Sequence, residues 1–214
     1  MATIKDIRSI TPRSNRTRNV SDITHIARHH SATDTGNWES FWEYWHETKG
    51  WGTGGYHEII LRDGTVQLCY DPEEITNGVG GQNAYIYHIT LVGNGSFTPA
   101  QEKTWEERVL YNLKRFKLPA SKVLGHKEFP GAQTACPATD MGVVRNRIIY
   151  LQNKEVADAK AKAEAIAKAK AEAAKPVVKK TLYRVVAGSF ADKENAEVQV
   201  KALKKAGFES FISS

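Results

Sequence analysis

The spacing of apolar residues changes along the chain, and each change predicts an element. Ile23 to Arg28 is a short apolar run that predicts a strand leading into His29 and His30. Trp38, Phe41, Trp42 and Trp45 recur at intervals of three and four. That spacing predicts an amphipathic helix over Trp38 to Lys49, closed by Gly50 or Gly52. Tyr56 to Arg62 and Thr65 to Tyr70 flank Asp63-Gly64, a dipeptide suited to a tight hairpin turn. Tyr85 to Val92 is a continuous apolar run, as expected of a central strand. Thr98 and Pro99 supply the cap and first-turn proline of a helix that runs through Trp105, Val109, Leu110 and Leu113 towards Phe116. Val123-Leu124 is a short strand that delivers His126, and Asp140 to Tyr150 is a last helix. Strands alternating with helices predict an α/β fold, a mixed central sheet flanked by helices.

This pattern stops near residue 153. Lys154 to Lys175 reads KEVADAKAKAEAIAKAKAEAAK, almost all Ala, Lys and Glu. These are strong helix formers with little to bury, so the segment reads as a semi-rigid spacer, about 33 Å long at ~1.5 Å per residue. Pro176 ends it. Beyond it, Leu182 to Phe190 alternates like a strand and Ala191 to Ala206 reads as a helix with Ala196, Val200 and Leu203 on one side. Gly207 closes that helix, and Phe208 to Ile212 begins a second strand, which makes a small βαβ unit. The expected organisation is a larger domain over 1–153, a helical linker over 154–176 and a small unit over 177–214.

Composition narrows the class. The 214 residues are 41% hydrophobic and 25% charged, enough to form a core. No window holds ~18 consecutive apolar residues, which excludes an ordinary membrane-spanning helix. The first ten residues lack the apolar core of a signal peptide. Two cysteines, Cys69 and Cys136, are too few for a disulfide framework; a single bridge between them is one option, and a reducing compartment is the default. The net charge of +6 is uneven: residues 151–214 carry 13 basic against 8 acidic side chains. Such a tail favours polyanions (nucleic acid, anionic lipid or anionic cell-wall polymers), but it equally describes a solvated lysine-rich helix. A nucleic-acid-binding role rests on charge alone.

All seven histidines and both cysteines precede residue 153. A catalytic zinc takes three protein ligands and keeps a fourth position open. The candidates are His25, His29, His30, His46, His57, His88, His126 and Cys136. Position narrows this list without settling it. His29 ends a strand, His126 follows another after Gly125, and Cys136 sits ten residues later in a loop that can fold back. Neither CxxC nor HExxH occurs, so the ligands must come from distant segments. The same residues also suit another reading, core histidines with a buried free thiol.

Five segments carry a resemblance that goes further. HHSAT (29–33), GTGGYHEIILRDGTV (52–66), ITLVGN (89–94), FTPAQ (97–101) and GHKEFPGAQTACP (125–137) occur in this order. Over roughly residues 20–150 the chain resembles the zinc-dependent N-acetylmuramoyl-L-alanine amidases of the peptidoglycan-recognition-protein fold, phage endolysins in particular. The resemblance implies one Zn2+ ion held by His29, His126 and Cys136, an active-site tyrosine at Tyr56 and a second catalytic position at Thr134. It implies hydrolysis of the amide between N-acetylmuramic acid and L-alanine, with bacterial peptidoglycan as the partner. Thr134 offers a hydroxyl where many relatives carry a lysine. Many relatives also carry a histidine in the loop that here reads NGVGGQN (77–83). Gly81 lets backbone approach substrate there, and Asn83 offers hydrogen bonds to the stem peptide. His30 and His57, by strand alternation, point away from the metal and from Tyr56. His88, inside the apolar strand, reads as a hydrogen-bonded interior histidine.

The last unit resembles one half of a sporulation-related (SPOR) repeat, a family that binds cell-wall glycan. A half of about 34 residues buries too little to stand alone, so the expectation is either that two chains pair their halves in a homodimer or that the sequence is truncated. The whole then reads as a modular lysin, held in the host cytoplasm until it is released to the wall. The alternative is a peptidoglycan-binding protein of the same fold without hydrolysis.

Overall fold

The computed structural model describes residues 2–173, 183 and 185–213. Six strands form one mixed sheet: β1 (Ile4–Asp6), β2 (His25–His30), β3 (Glu58–Ile60), β4 (Val66–Leu68), β5 (Ile86–Leu91) and β6 (Val123–Gly125). Their order is β1-β4-β3-β5-β2-β6. The β3–β4 hairpin is antiparallel and every other pairing is parallel. β5 lies inside the sheet and is buried along its whole length, as its unbroken apolar run predicts.

Alternation along β2 and β5 sorts the two faces. Ile26 of β2 and Tyr87, Ile89 and Leu91 of β5 enter a core with Trp105, Val109 and Leu113 of α2 (Pro99–Phe116) and with Met141, Val144 and Ile148 of α3 (Met141–Ala173). The predicted cap is in place: the Thr98 hydroxyl accepts the Gln101 backbone N–H, and Pro99 opens the first turn. On the opposite face, Trp38 of α1 (Trp38–Glu43) and Trp45 pack with Ile59, Tyr70 and Val92. Ala27, Val79, Ile86 and Phe129 form a smaller cluster beside them.

A polar cluster is buried under α2. Glu58 is fully buried and accepts from Arg108 (2.7 and 2.8 Å), Asn112 (2.9 Å) and the Tyr87 hydroxyl (2.8 Å). Nearby, the buried Arg28 guanidinium pairs with Glu102 and lies over the rings of Trp105 and Phe97.

The Asp63-Gly64 hairpin forms as expected, with Gly64 at φ +86°. A Cβ on Gly64 would lie 2.9 Å from the Ala100 carbonyl oxygen, so the turn also seats the start of α2. Gly64→Ala is expected to cost about 1–3 kcal/mol of stability, read as a lower urea midpoint at unchanged slope.

Several elements differ from the sequence reading. The strand predicted over Ile23 to Arg28 is shifted to His25–His30, so both histidines lie inside β2. The helix begun at Trp38 is α-helical only to Glu43 and continues as a π-helical turn, Tyr44–Thr48. Strand β1 carried no signal, because its three residues are exposed at a sheet edge and have no apolar alternation. The helix expected to stop at Tyr150 and the linker expected from Lys154 are one continuous helix, α3. Nothing in Leu151-Gln152-Asn153 breaks a helix, so the change of composition near 153 is not a change of backbone. The predicted stop at Pro176 lies outside the described residues.

The chain divides into two units, 1–164 and 165–214. In the second, α4 (Lys193–Lys205) forms as predicted, with Gly207 at φ +87° just after it. Ala196, Val200 and Leu203 are its half-covered side. The flanking strands of the expected βαβ unit are not formed at Tyr183, over residues 185–190 or over 208–213, and Leu182 and Arg184 lie outside the described residues. A strand needs a partner edge for its backbone groups, and one short helix supplies none. Among the described residues, no helix is long and apolar enough to cross a membrane.

Candidate metal centre and catalytic cleft

Three chain segments converge on the sheet face opposite α2. His29 projects from β2. His126 opens the single helical turn after β6, and Cys136 comes from the loop beyond. One ligand atom from each lies within 4.8 Å of the other two. His29 Nδ1 is 3.7 Å from Cys136 Sγ, and the His29 and His126 rings are 5.0 Å apart. A tetrahedral zinc with bonds near 2.1 Å to nitrogen and 2.3 Å to sulfur holds such a pair roughly 3.6 Å apart, so the donor set fits that ion. Ligand chemistry agrees. Burial, reinforced by neighbouring histidines, holds His29 well below the usual imidazole range, and burial lowers His126 as well. Both are therefore neutral near pH 7, as ligands must be. Burial pushes the Cys136 thiol up to about 11, against the His30 backbone N–H that points at its sulfur from 3.4 Å. A thiol so placed gives up its proton to a cation rather than to water.

Tyr56 is half-buried beside this trio, its ring 5.0 Å from that of His29 and edge-on to Trp45 at 5.4 Å. Burial and the neighbouring Cys136 sulfur push its phenol up, so it keeps its proton and can donate. It lines a cleft of about 780 Å³ together with Ser31, Asn37, Ser40, Phe41 and Trp45. Thr134 is exposed on the ligand loop. Its oxygen accepts the Cys136 backbone N–H at 3.1 Å, which leaves the hydroxyl proton free to donate.

Other residues singled out from the sequence have structural uses. Asn83 accepts the Val79 N–H through its side chain at 2.7 Å and closes the glycine loop on itself. Gly81 is exposed at φ +75°. Neither is placed in the trio. Glu128 pairs with Arg145 at 2.7 Å, and Lys127 donates to the Thr139 carbonyl. Trp38 and Trp45 are core residues, and Trp42 stacks between Trp38 and His46. His57 is wholly buried, accepting the His88 N–H and donating to the Glu74 carbonyl. His88 is the hydrogen-bonded interior histidine that the sequence predicts, with a partner that the sequence does not name. Its Nδ1 lies 3.1 Å from His29 Nε2. The signal that could have found it was register: His88 sits opposite Ala27, on the same face as His29.

Comparison with known proteins gives the family and the fold. Residues 19–139 match the N-acetylmuramoyl-L-alanine amidase family, and residues 152–214 match the SPOR domain family. The chain belongs to the N-acetylmuramoyl-L-alanine amidase family. An endolysin of Enterobacteria phage K11 is 34% identical over 105 residues, covering 45% of this chain and 67% of that protein. The chain is a peptidoglycan hydrolase of the endolysin type, cleaving the amide between N-acetylmuramic acid and L-alanine. Two solved structures share the fold. The amidase LysC from Clostridium intestinale has a TM-score of 0.58 at 21% identity, covering 72% of this chain and 99% of its own. Bumblebee PGRP-SA has a TM-score of 0.56 at 19% identity, covering 65% of this chain and 90% of its own.

Proposed function

We propose that this amidase works with one zinc ion held by His29, His126 and Cys136, with Tyr56 and Thr134 as its hydroxyl donors. The observation that carries the reading is the meeting of two neutral imidazoles and one sulfur within 4.8 Å, from three distant segments. When bound, such an ion polarises the scissile carbonyl and makes water acidic enough to supply a nucleophile near pH 7. The chain's own groups do the rest. The cleft beside Tyr56 receives the muramyl peptide, and its Trp45 and Phe41 walls exclude water from one side. The Tyr56 phenol, protonated at working pH, donates to the carbonyl oxygen as negative charge develops there. Thr134 donates a weaker, neutral hydrogen bond. On this reading substrate approaches the backbone at Gly81, and the Asn83 side chain hydrogen-bonds the stem peptide.

Tyr56→Phe keeps the ring and removes the donor. It is expected to lower kcat about 10²-fold with little change in KM, measured on a soluble muramyl peptide.

The modular reading extends this proposal. Residues 1–153 act as the catalytic domain, 154–176 as a helical linker and 177–214 as the wall-binding unit. The tether raises the local concentration of catalyst on an insoluble polymer. The excess of basic side chains after residue 150 favours anionic wall polymers as secondary partners, and pairing of two C-terminal units makes a homodimer. The enzyme is held in the host cytoplasm until it is released to the wall.

Turbidity of purified cell walls tests the whole. Clearing that releases new L-alanine amino termini, stops with chelator and returns with zinc supports the proposal. Clearing that is indifferent to chelator refutes it.

A further inference from the structure

A buried histidine that the proposed mechanism does not use stands directly behind His29. His88 is wholly buried on β5, and among the described residues its Nε2 meets no hydrogen-bond partner. A buried polar atom of this kind is costly, so the ring that carries it needs a use elsewhere. Three observations supply one. His88 Nδ1 is 3.1 Å from His29 Nε2. The other nitrogen of His29, Nδ1, is the one turned towards Cys136 Sγ. And the space holding the His88 ring exists because residue 78 is glycine: a Cβ there would lie 2.4 Å from His88 Nδ1.

Proton counting then fixes the pair. Only one proton fits between His29 Nε2 and His88 Nδ1. If His88 holds it, neutral His29 carries its own proton on Nδ1 and cannot use that atom as a ligand. If His29 holds it, Nδ1 presents a lone pair to the ion, and His88 keeps its proton on Nε2, the atom left without a partner. Only the second arrangement leaves His29 Nδ1, the atom turned towards Cys136 Sγ, free to act as a ligand. The backbone that carries the ring is held as well: the His88 main-chain N–H donates to His57 Nδ1 at 3.0 Å, and His57 in turn donates to the Glu74 carbonyl at 2.9 Å.

We infer that His88 is a positioning residue for the metal centre, its Nδ1 accepting the His29 Nε2 proton and so holding His29 as an Nδ1 ligand, in the space left by Gly78. The inference rests on the zinc reading above. His88 touches neither substrate nor the ion; it acts through His29. Groups that orient ligating imidazoles change metal affinity when removed, typically by 10- to 100-fold.

The test compares two variants of the full chain. His88→Phe keeps a ring and removes the acceptor, whereas His88→Asn keeps an acceptor near the Nδ1 position. The readouts are zinc affinity by chelator competition and the absorption spectrum of the cobalt-substituted protein. H88F is expected to bind zinc 10- to 100-fold more weakly, with an altered cobalt spectrum, and H88N to stay within about threefold of the parent. Zinc affinity and a cobalt spectrum unchanged in H88F overturn the inference, because a ring that merely packs predicts that result. Imidazole nitrogen spectra of the zinc-loaded parent provide a second measurement that needs no variant. The proton is expected on Nε2 of both His29 and His88; a proton on His88 Nδ1 overturns the inference even if the variants fail to fold. Failure of the zinc reading looks different: the parent protein itself then binds no stoichiometric zinc.

Discussion

Cys136→Ala is expected to lower wall hydrolysis roughly a thousandfold while leaving the fold intact. Cys136 supplies the one anionic donor of the trio, and its sulfur is 3.7 Å from His29 Nδ1. Without it, two neutral imidazoles remain, which hold a divalent ion far less tightly. The lost carbonyl polarisation is worth several kcal/mol, hence the estimate of about 10³ in kcat/KM. The side chain is small and its loop is held by other contacts, among them the Lys127 N–H to the Cys136 carbonyl at 2.8 Å. Thermal melting of the metal-free variant should therefore match that of the metal-free parent within a few degrees. Rates on purified walls and bound zinc per chain should fall together. Full activity without bound zinc would contradict the assignment.

Glu58→Ala is expected to destabilise the protein by about 3–5 kcal/mol, through a different part of the fold. The carboxylate is fully buried and carries four hydrogen bonds, two of them from Arg108. Removing it leaves a guanidinium and the Tyr87 hydroxyl in the interior without their acceptor. Net stabilities of single domains are about 5–15 kcal/mol, so this one change removes a large share. Urea unfolding measures it directly. The paired change, Glu58→Leu with Arg108→Met, is expected to recover much of the loss, because it removes both charges and their desolvation cost. A loss below about 1 kcal/mol in Glu58→Ala would show that Arg108 finds water instead.

The parts of this molecule written in local periodicity were legible in its sequence. The Asp63-Gly64 hairpin, the Thr98-Pro99 helix start and the buried β5 run each depend on neighbours a few residues away, and each formed as predicted. The candidate ligands were narrowed by position, but the choice of His29, His126 and Cys136 came from motifs in fixed order, since no local spacing marks ligands that lie 97 and 10 residues apart. What the sequence hid was non-local. Strand β1 is an exposed edge whose partner, β4, lies some sixty residues away. The join between Tyr150 and Lys154 was read as a boundary because side-chain chemistry changes there, although backbone propensity does not. The strands flanking α4 were read from alternation, yet alternation forms a ladder only when another edge is present. His88 looked like an ordinary core residue until the parallel register of β2 and β5 set it behind His29.

X-ray absorption at the zinc edge of the purified full chain tests the central claim most directly. The account predicts one zinc per chain, with a single sulfur at about 2.3 Å and two imidazole nitrogens at about 2.0–2.1 Å in its first shell, and loss of the sulfur signal in Cys136→Ala. A chain that carries no stoichiometric zinc, or a first shell without sulfur, would contradict it.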